Sequence, residues 1–154
     1  MPRVLRILAV ASLALALTGC GIPTDPEGTL ARIDADGTLR AGASPSGALV
    51  RVSGDDVAGS LVDLVEGFAR SRGAEVTWEV DSEEALVDAL ESGALDLAVG
   101  GMTDQTPWSD RVSVTRGFTG IDGAEDTPVV FLLPMGENAT QSALEAYLDE
   151  ELRR

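Results

Sequence analysis

The sequence has no histidine, no lysine and one cysteine, Cys20, in 154 residues. Without histidine there is no Ser-His-Asp or Cys-His nucleophile pair and no Cys/His zinc site, and a lone thiol closes no internal disulfide. Catalysis would have to run on carboxylates alone, and most carboxylates in so acidic a chain occupy a solvated face. The chain therefore reads as a non-enzyme needing no metal and no cofactor, with a carboxylate-based hydrolase as the outlying alternative. Arginine supplies all 11 basic residues against 26 acids, for a formal charge of −15. That balance leaves no cationic cluster for a phosphate backbone and excludes nucleic acid as a partner.

The hydrophobic residues, 44% of the chain, suffice for one core in one domain. At the amino terminus Arg3 and Arg6 border the apolar run "VLRILAVASLALAL". A helix needs roughly 20 residues to cross a bilayer core of about 30 Å, so this run is too short to span and reads as the centre of a signal peptide. Directly after it stands Leu17-Thr18-Gly19-Cys20, which resembles the lipobox of bacterial lipoproteins. The resemblance implies cleavage before Cys20, diacylglycerol in thioether linkage on its sulfur, and a lipid-anchored chain on the extracytoplasmic face of the cell membrane. Residues 1–19 are then a lipoprotein signal peptide, 20–30 the lipidated cysteine and a tether, and 31–154 the folded domain. Removing residues 1–19, which hold two arginines and no acid, takes the formal charge from −15 to −17. The plainer alternative is an ordinary secretory signal that leaves Cys20 a free thiol.

After the tether, β-rich runs alternate with helical periodicity. "TLRAGA" (38–43) is a first strand, and the Gly-punctuated stretch through residue 59 is a connection. Ser60 opens a helix whose Leu61, Leu64, Val65 and Phe68 share one face, with Gly73 at its C′ position. Val76, Trp78 and Val80 alternate in a second strand, which makes Trp78 a core residue. Asp81 or Ser82 caps a second helix with Leu86, Val87 and Leu90 inward, and "ALDLAVGG" follows as a third strand. Strand, helix, strand, helix, strand predicts an α/β fold, a three-layer sandwich around a mostly parallel sheet. "RVSVTRGF" is a fourth strand and the nearly all-apolar "PVVFLLP" suits the middle of the sheet. A terminal helix buries Leu144, Tyr147, Leu148 and Leu152, with Arg153 and Arg154 at the negative end of its dipole.

The order of these pieces resembles lobe 1 of the family-3 solute-binding proteins, the polar amino-acid receptors of ABC importers. The matching residues are "GTLRAG", then Gly59, Asp63, Leu64, Phe68 and Ala69, then "ALESGALDLAVGGMT", then Arg111 before "VSVTRGF", and "LLPMGENATQSALEAYL" near the end. The resemblance implies a single lobe of the type II periplasmic-binding-protein fold. In the family a second lobe is inserted between the strands near Val114 and Val130, where this chain has only "GFTGIDGAED". The second lobe is therefore expected to be absent.

The stretch "GGMTDQTPWSDR" (100–111) is the candidate site. Thr106 at Ncap and Pro107 at the first helical position favour a helical turn whose free N–H groups face the carboxyl edge of the sheet. Open α/β sheets bind ligands there, and amides suit a carboxylate. Arg111 adds a planar fork of donors. By resemblance the ligand-binding candidates are Met102, Thr103, Thr106 and Arg111, taking an amino acid or another small carboxylate for ABC-type uptake. In the plainer reading Trp108 packs on the sheet, Thr106 only caps, and Arg111 pairs with Asp110 or Asp104. The chain is then an interaction or structural lipoprotein whose partner is a permease, a sensor or a second copy of itself.

Overall fold

A computed structural model describes residues 24–154; the signal-peptide stretch and Cys20 lie outside the described residues. The elements are α1 (Thr29–Asp36), β1 (Thr38–Ala43), β2 (Arg51–Ser53), β3 (Asp56–Ala58), α2 (Ser60–Ser71), β4 (Glu75–Val80), α3 (Glu83–Glu91), β5 (Leu97–Val99), β6 (Ser113–Val114), β7 (Leu132–Leu133) and α4 (Asn138–Glu151). The main sheet has the order β4-β1-β5-β7-β6. Strand β1 pairs in parallel with β4, Thr38 opposite Glu75 through Ala43 opposite Val80, and with β5, Ala41 opposite Leu97. Strand β7 runs antiparallel to both β5 and β6, so the sheet is mixed. No helix lies between β6 and β7 to carry a parallel crossover, and the chain simply turns back.

Apolar layers cover the sheet on both faces, as the three-layer expectation requires. Leu39, Ala41, Leu97, Val99, Phe131 and Leu133 meet Val65 and Phe68 of α2 and Leu144 and Leu148 of α4 on one side. Ala98, Val130 and Leu132 meet Leu86, Val87 and Leu90 of α3 on the other. The alternation of Leu97, Ala98 and Val99 between the layers is the period-2 geometry of a strand buried on both faces. Gly42 lets α3 lie close: a Cβ there would sit 2.7 Å from Leu86 Cδ2 and 2.8 Å from Leu95 Cδ1.

Two elements depart from the sequence reading. The connection after β1 contains a hairpin, with Arg51 opposite Ala58 and Ser53 opposite Asp56, whose three-residue strands are too short to show alternation. Helix α1 begins at Thr29, inside the expected tether; only Ile33 is fully buried on it, with Leu30 packed partly behind.

The start of α1 is fixed by carboxylates exchanged with α4. Buried Glu137 accepts from the backbone N–H of Glu27 at 2.9 Å and of Thr29 at 3.1 Å, where Gly28 has no side chain to cap the helix. In return Asp25 accepts from the N–H groups of Ala139 and Thr140, the Thr140 hydroxyl and the N–H of Leu30, at 2.5 to 3.0 Å. Each carboxylate satisfies donors that a helix start leaves open. Partial burial alone pushes the Asp25 carboxyl up, but the Thr140 hydroxyl and three backbone N–H groups outweigh it and hold it below the usual aspartate value.

A second tie sits nearby, at the start of β5. Asp96, fully buried, accepts from the Arg40 backbone N–H at 2.9 Å and from its guanidinium at 2.5 and 3.2 Å. Arg32 of α1 reaches the same carboxylate, its Nη2 2.5 Å from Oδ1. The cluster joins β1, β5 and α1 at the amino edge of the sheet.

Asp25→Ala is expected to lower unfolding free energy by about 1–2 kcal/mol, the scale of a lost cap. Because the folded pKa of Asp25 is depressed, its contribution is fully present above the ordinary aspartate value of 3.8 and is lost as pH falls through the lower folded value. Urea unfolding of wild type and variant should therefore converge at acid pH; an undiminished gap there would contradict the assignment. Asp96→Ala should cost about 2–4 kcal/mol in the same measurement, at the low end for a broken buried pair because Arg40 keeps access to water. A loss within about 0.5 kcal/mol would show that the clamp is not structural.

Candidate functional site

Parallel strands end together, so β1, β4 and β5 deliver Ser44, Asp81 and Gly100 to one edge. The segment after β5 is drawn back under the sheet there. Ser44 donates its N–H to the Val99 carbonyl at 2.8 Å, and Met102, buried, accepts from the Val130 N–H at 2.8 Å. Gly101 has a φ of 75° and a Cβ at that position would collide with Ser46 Oγ, so only glycine passes this corner. The Thr106 N–H then closes a turn onto the Thr103 carbonyl at 3.0 Å.

The result is an open depression of about 250 Å³ lined by Glu83, Gly101, Met102, Thr103, Gln105 and the Thr106-Pro107 pair. Among the described residues nothing accepts from the N–H groups of Gly101, Met102 or Thr103. The Thr106 hydroxyl is also buried without a partner. Across from these donors, Glu83 sits in the first turn of α3, where Ser82 Oγ accepts from the Ala85 N–H at 3.3 Å and settles the choice of cap. Glu83 accepts a 3.4 Å bond from Trp108 Nε1, which leaves most of its acceptor capacity free. The depression thus brings together a segment whose N–H groups have no acceptor among the described residues, the buried Thr106 hydroxyl and the Glu83 carboxylate.

The structure gathers Met102, Thr103 and Thr106 at this depression and places Arg111 elsewhere. Arg111 Nη2 donates to Asp88 Oδ1 at 2.7 Å and also to Glu91, and its guanidinium lies 5.7 Å from the Trp108 ring centroid. Both carboxylates come from one ridge of α3, three residues apart. The hydrogen bonds that it donates to Glu91 and then to Asp88 raise the guanidinium pKa further. Arg111 faces a separate depression of about 490 Å³ with Leu90, Pro134 and Met135. Its partners are neither a free carboxylate in the first depression nor Asp104 or Asp110. Thr106 does not cap the 107–111 turn: its hydroxyl has no partner, and the turn is closed by the Arg111 and Val112 N–H groups, which both donate to the Trp108 carbonyl. Trp108 packs against the cluster that α3 forms with the sheet, where the plainer reading has it on the sheet.

Glu83 and Gln105 are the lining residues that the sequence reading does not single out. Glu83 lies in the first turn of α3, where helix periodicity gives no sign of a site. The rule that the loops after successive parallel strands meet at one sheet edge brings it beside Thr106. Another depression, about 390 Å³ between α2 and α4, is lined by Asp63, Arg70, Ile121, Tyr147 and Glu151. Burial there, helped by Glu151, raises the Tyr147 pKa. It lies off the strand ends, and no unpartnered buried atom lines it among the described residues. Among the described residues no cluster of three or more Cys, Asp or Glu is placed to hold a metal ion, and no helix is long and apolar enough to cross a membrane.

No family model and no curated protein matches the sequence. Solved structures do match the fold. A point mutant of arginine-bound domain 1 from the arginine-binding protein of T. maritima is 19% identical over 81% of this chain and 99% of that one, with a TM-score of 0.71. An ancestral cationic amino-acid solute-binding protein is 14% identical over 81% of this chain and 94% of the other, with a TM-score of 0.68. Against a longer form of the T. maritima protein the match covers 57% of this chain and 42% of that one, at 23% identity and a TM-score of 0.53. Residues 24–154 therefore have the fold of a single lobe of a periplasmic-binding-protein-like domain.

Proposed function

We propose that this chain is a lipid-anchored, extracytoplasmic solute-binding domain that takes an amino acid at the carboxyl edge of its sheet. The observation that carries the reading is the gathering at one depression of polar groups without partners among the described residues, the N–H groups of Gly101, Met102 and Thr103 and the Thr106 hydroxyl, together with the Glu83 carboxylate. A zwitterion has the matching polarity. Its carboxylate suits the donors, and a cationic group suits Glu83. A cationic amino acid is favoured because Asp81, Glu84 and Asp104 stand near the same edge and the whole chain is acidic. Support for a lone lobe holding a ligand comes from domain 1 of the T. maritima protein, which was solved as an arginine-bound form.

Of the four residues proposed from the sequence, Met102, Thr103 and Thr106 remain in the site, and Arg111 serves to pin the 107–111 turn to α3. Anchoring through Cys20 and delivery to an ABC permease belong to the same proposal. So does binding without catalysis, supported by the absence of histidine and the single cysteine. The sequestration of Arg111 by Asp88 and Glu91 favours a second reading, an interaction or structural lipoprotein that binds no ligand but a permease or a second copy.

An open depression buries only part of a ligand, so affinity should be weak, with Kd on the order of 0.1–1 mM. Titration of residues 21–154 against a panel of amino acids is expected to give a saturable rise in Tm with arginine or lysine. Thr106→Val and Glu83→Ala should each weaken it about five- to tenfold, the loss of one hydrogen bond or ion pair, while Arg111→Ala should leave it within about twofold. No response to any member of the panel would overturn the receptor reading and leave the interaction reading standing.

A further inference from the structure

Strand β4 is the long outer strand of the main sheet, six residues with a neighbour on one side only, β1. The N–H groups of Glu75 and Asp81 donate to the carbonyls of Gly37 and Ala43 at 3.0 and 3.3 Å, so the odd-numbered residues turn their peptide groups towards β1. A pleated strand turns the N–H and C=O of alternate residues to opposite sides, which leaves those of Val76, Trp78 and Val80 facing outward. Among the described residues no turn, loop or side chain takes them up. Proline or a covering segment commonly closes such a row, and β4 has neither a proline nor a strand beyond it.

The side chains of β4 form two unlike rows. Glu75, Thr77 and Glu79 project from one face and are exposed, whereas Val76 and Trp78 pack partly against the α2 layer on the other. Val80 continues the apolar row and is 40% exposed. The arginines that precede β4 in the chain are engaged elsewhere, Arg70 with Glu66 and Arg72 with Asp34. At the start of the strand Glu66, Ala74, Glu75 and Val76 line a depression of about 320 Å³.

We infer that the outer side of β4 is a docking surface for an extended segment of a protein partner, laid down as a sixth strand, with basic residues four apart on one face and β-branched apolar residues on the other. Residues four apart stand about 13 Å apart along a strand, the spacing of Glu75 and Glu79. Directly opposite side chains approach to about 4.5–5.5 Å, where opposite charges attract and like charges repel. Main-chain hydrogen bonds to Val76, Trp78 and Val80 supply the hold, and the alternating side chains supply the selection. A second copy fits poorly. Pairing β4 with β4 so that the apolar rows continue sets acid against acid on the other face, between chains of formal charge −15. The surface is separate from the candidate site and does not depend on amino-acid binding there.

The test titrates the ¹⁵N-labelled chain from residue 21, whose two apolar layers close within residues 24–154, with the blocked hexapeptide acetyl-Arg-Val-Thr-Val-Arg-Val-amide. Blocked ends remove the α-carboxylate and α-ammonium groups of a free amino acid. Saturable amide shifts at Val76, Trp78 and Val80 are expected, with binding about tenfold weaker when glutamate replaces both arginines of the peptide. The double variant Glu75→Gln, Glu79→Gln should weaken the basic peptide about fivefold, the scale of two exposed cross-strand ion pairs. N-methylation of one alternate set of peptide residues should abolish the shifts and of the other set should leave them, because only one set faces β4. Equal affinity for basic and acidic peptides, or indifference to both N-methylated forms, overturns the docking reading. Shifts centred on residues 100–106 assign the peptide to the candidate site and overturn it as well. A dimer of the free chain that protects the same three amides from exchange gives the surface to a second copy and overturns the choice of partner.

Discussion

Strand β5 is three residues long and buried on both faces, with Leu97 and Val99 in one apolar layer and Ala98 in the other. Its position between β1 and β7 makes it the axis of the sheet. Fixing it fixes both edges of the molecule. At its start Asp96 is locked by Arg40 and Arg32, and at its end Gly100 and Gly101 emerge into the turn that forms the candidate site. A shift of one residue would exchange Ala98 with its neighbours between the layers and pull Asp96 from its arginines, so packing and electrostatics specify the same register.

The same axis divides the chemistry. The amino edge spends its charges on structure: Asp96 on two arginines, Asp25 and Glu137 on helix starts. The carboxyl edge leaves polar groups unspent, because strands that end in parallel present N–H groups with no further partner strand to take them. The acids there are exposed or half-exposed and unpaired with arginine among the described residues. In the proposed reading these are the groups that meet a small polar molecule.

Much of this was legible in the residues. The apolar faces of α2 and α3 are where helical spacing puts them, Gly73 follows α2 with a φ of 71°, and Trp78 packs against the core. Local periodicity determines such features, since core residues recur within a turn or a pleat. What escaped depends on contacts distant in sequence. Asp25 meets Thr140 across 115 positions, and Arg111 meets Asp88 and Glu91 across 23 and 20. A side chain with five donors and several nearby acids has many partners compatible with its sequence, and packing of α3 beside the 107–111 turn selects among them. The hairpin of β2 and β3 and helix α1 escaped because each is too short for its period to stand out.

The central claim is that the unspent donors of Gly101, Met102 and Thr103 and the hydroxyl of Thr106 hold an amino-acid carboxylate. Backbone amide shifts on titration of the ¹⁵N-labelled domain with arginine measure this directly. Saturable shifts concentrated on residues 100–106 and on Glu83 are the predicted result. Shifts centred on the depression between α2 and α4, or no saturable shift at all, would contradict it.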